Sequence, residues 1–230
     1  MSDRIMFKAI VIGGTGATGR QLIRQLVENE NCQSVTSIGR RPVLDGIKDD
    51  RVVDVVVDSM NDLSSTQEFW ENNDVFFNCI GTTRQKAGGA KKFVDIELGI
   101  SKESARMASN AQIPHASLIS ANGANHEAWS QDWLHPLLYR KTIGQKEQTI
   151  LSDFSFKMVT IFRPGMLIRL MGKRAWYDGI TERTGVGIKV DILALAMISD
   201  AERSKKEDNR VSSRYFIGNS KIKASLRSCI

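Results

Sequence analysis

Cysteine and histidine are scarce in this 230-residue chain, with three of each, and proline occurs four times. Cys32, Cys79 and Cys229 are widely spaced, show no metal-ligand spacing, and their odd count suits a reducing compartment. His115, His126 and His135 have no helical or hairpin spacing that would bring them together, so no metal site is expected. No apolar run approaches the roughly 18–20 residues of a membrane span. The opening Met1-Ser2-Asp3-Arg4-Ile5-Met6-Phe7 is too short and wrongly charged for a secretory signal. There is no internal repeat and no low-complexity tract. The net charge of +6 raises nucleic acid as a partner, but the basic residues are scattered and never interleaved with aromatics, so neither nucleic acid nor membrane is expected. Together these absences point to a cytoplasmic location, with the nucleus as a second compartment.

What is present is a regular alternation. With 41% hydrophobic residues the chain can bury a sizeable core. Apolar runs at Lys8–Gly13, Ser34–Gly39, Val52–Val57, Val75–Cys79, His115–Ser120 and Lys157–Phe162 read as strands. Between them, Thr18–Glu28, Ser64–Trp70, Asp95–Ala111 and Leu138–Ser152 read as helices. Strands separated by helices of this length imply right-handed βαβ units, and strands apolar throughout imply that both sheet faces are covered. The expected fold is therefore α/β, a doubly wound parallel sheet. After Pro164 the alternation breaks down. Residues 5–168 read as the core of one domain spanning 1–230, and 169–230 as a small carboxyl-terminal extension on the substrate side. Within it, Leu170–Gly187 reads as loop, Val190–Ser199 as helix, Arg203–Arg214 as a charged solvent loop and Arg214–Ile217 as a last short strand.

The first strand ends in Gly13-Gly14-Thr15-Gly16-Ala17-Thr18-Gly19, and an amphipathic stretch follows at once. A strand, a tight glycine turn and a helix N-terminus point backbone N–H groups at an anion. Gly13 permits the turn, Gly16 lets the backbone approach a pyrophosphate, and Gly19 lets the helix pack on the strand. The segment Gly13, Thr15, Gly16, Ala17, Thr18 and Gly19 is thus a candidate dinucleotide site. About 20 residues further on, an acidic residue would select NAD by its ribose hydroxyls. The chain has Arg40 and Arg41 there, which suit a 2′-phosphate through forked, charge-assisted hydrogen bonds, so NADP(H) is the expected cofactor. Asp58, after the third strand, either meets the adenine or caps a turn. Gly81, Thr82 and Thr83, after the fourth, leave room for ribose and pyrophosphate; the Thr82 and Thr83 hydroxyls contact the cofactor or cap the loop.

These residues, with Ile38-Gly39-Arg40-Arg41, Ile80-Gly81-Thr82-Thr83-Arg84-Gln85-Lys86-Ala87-Gly88 and Phe162-Arg163-Pro164-Gly165, resemble the atypical branch of the short-chain dehydrogenase/reductase superfamily. The resemblance runs from Lys8 to about Met171, and its motifs are similar to the HIV Tat-interacting oxidoreductase subgroup. It implies a Rossmann fold, NADPH binding and a turn at Pro164 beside the nicotinamide. It also implies association with nuclear-import receptors and transcription regulation. Catalytic relatives use a Tyr-x-x-x-Lys pair and a serine after the fifth strand. The tyrosine passes a proton while nicotinamide passes hydride, and the lysine lowers the tyrosine pKa. Here Tyr139 and Ser120 are kept as candidate catalytic residues, but Ile143 stands where lysine belongs and Ala121 where a second serine is usual. Lys146 lies seven residues past Tyr139, on the same side of the helix but a turn too far. Without the lysine, Tyr139 is expected to keep the ordinary tyrosine pKa of about 10, a poor match to neutral pH. Two functions follow: an NADPH-dependent oxidoreductase on a small carbonyl, or a catalytically weak NADPH-binding regulatory protein. Trp129, Trp133 and Trp176 either wall a substrate cleft or cover exposed core, and Cys79 reads as a core residue.

Overall fold

The structure, a computed structural model, describes residues 6–43, 49–131, 135–169, 187–207 and 212–226. Six strands appear where expected: β1 (Phe7–Ile12), β2 (Cys32–Gly39), β3 (Val52–Val56), β4 (Val75–Asn78), β5 (His115–Ile119) and β6 (Met158–Arg163). β7 (Met166–Ile168) and β8 (Gly187–Lys189) form a separate parallel pair, and β9 (Ser212–Ile217) returns to the main sheet. That sheet has seven parallel strands in the order β3-β2-β1-β4-β5-β6-β9. The strand order reverses between β1 and β4, the point at which open α/β sheets bind ligands outside their carboxyl ends.

The helices are α1 (Ala17–Glu28), α2 (Arg84–Ala87), α3 (Ala90–Val94), α4 (Ile100–Asn110), α5 (His135–Ser152), α6 (Val190–Lys206) and α7 (Asn219–Ser225). The unbroken hydrophobicity of β1 follows from its two buried faces. Ala9 and Val11 enter a core with Leu22, Leu26, Leu193 and Met197 from α1 and α6. Ile10 and Ile12 enter the opposite core with Ala105, Ala108 and Ile150 from α4 and α5. Each fully buried Val, Leu, Ile or Met side chain among these is worth about 1.5–3 kcal/mol relative to exposure.

Several expectations are corrected. Ser64–Trp70 is a 3₁₀ rather than an α-helix; Trp70 is buried and its Nε1–H donates to Thr66 Oγ1 at 2.9 Å. The long helix expected over Asp95–Ala111 begins earlier, at Ala90, and is interrupted by a π turn at Asp95–Gly99. The charged stretch Arg203–Arg214 is not a solvent loop in its described part. α6 runs on to Lys206, with Arg203, Lys205 and Lys206 in the last turn, where cations complement the helix dipole. Arg214 joins β9 and pairs with the buried Asp200, a partner that hydropathy does not reveal. Of the extension set apart at residue 169, β9 pairs along the whole of β6 and α6 packs against α1, so these elements complete the doubly wound sheet. Residues 170–186, with Trp176, lie outside the described residues, as do Trp133 and Cys229.

Candidate functional site

The glycine turn is built as its sequence dictates. Gly13 has φ +83°, a left-handed conformation, and the Gly16 N–H closes the turn on the Gly13 carbonyl at 2.9 Å. A methyl group at Gly13 would lie 2.7 Å from the Cys79 carbonyl, and one at Gly19 would lie 2.3 Å from the Gly13 oxygen. Strand β1, the loop after β4 and helix α1 therefore meet in a space that only hydrogen can fill. Gly16 is the N-cap of α1 and brings no capping side chain, so the first-turn N–H groups have no side-chain acceptor from that position. This bare cradle fits a dinucleotide pyrophosphate.

In front of it lies a cleft of about 280 Å³. Gly16, Ala17 and Thr18 line one side, Gly81, Thr82 and Thr83 another, and Ser120 and Tyr139 a third. Eight of the sequence-proposed residues thus converge on one cleft. Thr15 lines an adjoining opening of about 170 Å³ with Arg20, Gln21 and Arg169. Arg40 and Arg41 are exposed after β2 and do not line the cleft. Their loop flanks the turn, because a methyl on Gly14 would lie 2.8 Å from Val43 Cγ1, and it is pinned by the Val43 N–H to Asp54 at 2.8 Å. Asp58 is exposed after β3, and Val57 next to it bonds back to the Gly39 carbonyl at 2.9 Å. Thr83 caps α2, its Oγ1 accepting from the Lys86 N–H at 3.3 Å. Pro164 is buried and accepts from the Asn122 N–H at 2.9 Å; Asn122 is exposed and neither residue lines the cleft. Trp129 is exposed and stands outside the cleft.

The two catalytic candidates sit in unlike surroundings. The Ser120 hydroxyl donates to the buried Glu147 carboxylate, which also accepts from Arg163 Nε at 2.8 Å. Its proton is therefore committed within the protein. Tyr139 packs on Phe93 with ring centroids 5.8 Å apart. Burial, and next the Glu97 charge, push its phenol up to about 12. This departs from the expectation of an ordinary tyrosine: with no lysine beside it to offset them, burial and the Glu97 charge make the phenol less acidic than in water. Cys79 is buried and burial pushes its thiol up to about 12, which confirms it as a core residue.

Sequence reasoning noted Lys146 but missed Glu97, with which it pairs in the cleft. Lys146 is 1% exposed and its Nζ donates to Glu97 Oε2 and to the Ile80 carbonyl, both at 3.2 Å. Glu97, also 1% exposed, accepts the Thr82 N–H at 2.5 Å through its other oxygen. Tyr139, Ile143 and Lys146 fall at i, i+4 and i+7 on one helix face, a spacing visible in the sequence. Glu97 carries no such signal, because the π turn at Asp95–Gly99 sets its direction. Among the described residues no cluster of metal-ligating side chains occurs, and no helix is long and apolar enough to cross a membrane.

Comparison with known proteins agrees with this architecture. An NAD(P)H-binding family matches residues 13–179. Protein FMP52, mitochondrial, of Debaryomyces hansenii is 36% identical over 176 residues, 75% of this chain and 70% of the relative. The protein of the same name from Meyerozyma guilliermondii is 31% identical over 182 residues, 79% and 72% of the two chains. Protein HTATIP2 of Rattus norvegicus is 29% identical over 158 residues, 69% and 66%. In fold, the chain is similar to the oxidoreductase ylbE from Lactococcus lactis, with a TM-score of 0.64, 18% identity and 96% and 95% coverage. It is also similar to DesIV, a dTDP-glucose 4,6-dehydratase from Streptomyces venezuelae, with a TM-score of 0.68, 13% identity and 96% and 80% coverage. The chain belongs to the NAD(P)H-binding family, and within it is an atypical short-chain dehydrogenase/reductase resembling HTATIP2 and FMP52. The expected cytoplasmic or nuclear location is corrected by these relatives, since the FMP52 proteins are named as mitochondrial and point to that compartment.

Proposed function

We propose that this protein is an NADP(H)-dependent reductase of a small carbonyl compound, with its whole length serving one NAD(P)-binding unit. The observation that carries the reading is the convergence of the bare glycine cradle, the loop Gly81–Thr83, Ser120 and Tyr139 on one cleft. Gly13, Gly16 and Gly19 admit the pyrophosphate, Ala17 and Thr18 border it from the first turn of α1, and Thr15 borders it from the adjoining opening. Arg40 and Arg41 flank the turn as partners for a 2′-phosphate, and Asp58 stands at the adenine end. Pro164 shapes the turn after β6. A bound dihydronicotinamide supplies hydride; the chain supplies the proton at Tyr139 Oη. Ser120 does not donate to the substrate carbonyl while its own hydrogen is held by Glu147.

A second reading, cofactor binding with little turnover, is favoured by one observation: Ile143, 2% exposed, fills the lysine position with hydrocarbon. Tyr139→Phe separates the two. On the reductase reading, consumption of NADPH with small aldehydes and ketones falls at least about 100-fold, within the usual range for a lost general acid, while NADPH affinity is kept. Equal turnover in the variant contradicts Tyr139 as the acid, and no turnover in the parent chain favours the second reading.

A further inference from the structure

The buried Glu97–Lys146 pair is chemistry that the cofactor cradle does not require. It ties three elements together at the floor of the cleft. Glu97 comes from the π turn, Lys146 from α5, and both grip the main chain of the loop after β4, at Thr82 N–H and Ile80 C=O. Two ions at 1% exposure survive burial only because each is paired and hydrogen-bonded. Lys146 thus brings an ammonium into the cleft three residues beyond the position at which the superfamily keeps its lysine, but brings it already neutralised.

The consequence falls on Tyr139. A free ammonium beside a phenol favours the phenolate; a carboxylate beside it favours the phenol. Among the described residues, the other charged groups lining this cleft are Lys86 from α2 and Arg169 after β7, while Arg163 is spent on Glu147 behind Ser120. Phe93 packs on the Tyr139 ring, and Glu97, which lines the same cleft, bears on the phenol through its charge.

We propose that Glu97 is a positioning residue which, by neutralising Lys146 and holding it against the loop after β4, keeps Tyr139 a proton donor. The inference deepens the reductase reading and rests on it for its functional meaning. In reduction a bound dihydronicotinamide would supply the hydride for the new C–H bond as the carbonyl π bond breaks. The substrate oxygen takes the Tyr139 proton, and the phenolate left behind regains one from water. Alcohol oxidation needs the phenolate at the start, which this pair disfavours.

The test needs no cofactor. Tyrosinate absorbance is followed during alkaline titration of the whole protein, and the Tyr139 contribution is taken as the difference from Tyr139→Phe; the chain has three tyrosines. In Glu97→Gln the Tyr139 phenolate is expected to form at least about one pH unit lower than in the parent, a tenfold change in proton affinity. Circular dichroism at each pH confirms the fold. Should Glu97→Gln fold poorly with Lys146 left unpaired, Glu97→Gln with Lys146→Met removes both charges, and the shift is expected to be downward but smaller. A Tyr139 titration equal to the parent's in the folded variants overturns the proposal. NADPH affinity measured on the same proteins separates the two ideas. If the phenol shifts and NADPH does not bind, the cofactor reading fails; if NADPH binds and the phenol does not shift, the role of Glu97 fails.

Discussion

At the scale of single residues, the site is decided by side chains that are missing. Gly144 lies on α5 between Ile143 and Lys146, and a methyl there would lie 2.2 Å from the His126 N–H and 2.4 Å from the Asn125 carbonyl carbon. The loop after β5 rests on that glycine and is held by Arg140 Nε to the Gly123 carbonyl at 2.8 Å and by Asn125 N–H to the Arg140 carbonyl at 3.0 Å. Gly144→Ala is therefore expected to destabilise the fold by about 1–3 kcal/mol, the usual cost of overpacking, read as a lower urea midpoint with an unchanged slope. Gly19→Ala meets backbone oxygen at 2.3 Å and is expected to weaken NADPH binding as well, because the turn and α1 must separate. Tyr139 was reached through the family resemblance, and the glycine turn was legible because it follows directly on a strand end. Glu97 was not, because a π turn adds a residue to the helical repeat and redirects the side chain without changing composition.

At the scale of elements, α5 links the site to the core. One face carries Tyr139, Ile143 and Lys146 into the cleft, and Glu147 turns toward β5 and β6 to hold Ser120 and Arg163. Arg163 in turn lies over the Tyr215 ring, 5.5 Å from its centroid, and so reaches β9. Glu147→Ala leaves Arg163 without its carboxylate and the Ser120 hydroxyl without its acceptor. It is expected to cost about 1–3 kcal/mol of stability in denaturant unfolding, the range for leaving a buried hydrogen-bond partner unsatisfied, because Arg163 is only partly buried. The helical pattern of α5 was plain in the sequence. The edge strand β9 was read only in part, because Tyr215 and Ile217 are exposed and Arg214 is charged, so its apolar signal is half that of the central strands. Residues Arg203 to Lys206 read as loop for a similar reason: their charges belong to a helix end rather than to solvent-borne chain.

At the scale of the whole molecule, the two ends of the sheet behave differently. The carboxyl ends of the strands hold the cleft. The amino ends hold a buried polar group: His115 at the start of β5, with Nε2 3.0 Å from Thr160 Oγ1 and 3.7 Å from Asp200 Oδ2. Burial, partly offset by Asp200, lowers its pKa from 6.5 to about 4. The unfolded chain thus binds this proton first, so stability falls as pH drops from 6.5 towards 4 and is fully present above that window. His115→Gln is expected to flatten that part of the stability curve, with a slope difference approaching about 1.4 kcal/mol per pH unit; parallel curves contradict it. The central claim, that the turn and its flanking arginines form an NADP(H) site, is tested most directly by titrating the protein and its Arg40→Ala/Arg41→Ala variant with NADPH and NADH, read by tryptophan quenching. The account predicts NADPH binding at least about tenfold tighter than NADH in the parent, a gap of about 1.4 kcal/mol, and equal affinities in the variant. Equal affinities in the parent, or no binding of either nucleotide, contradict it.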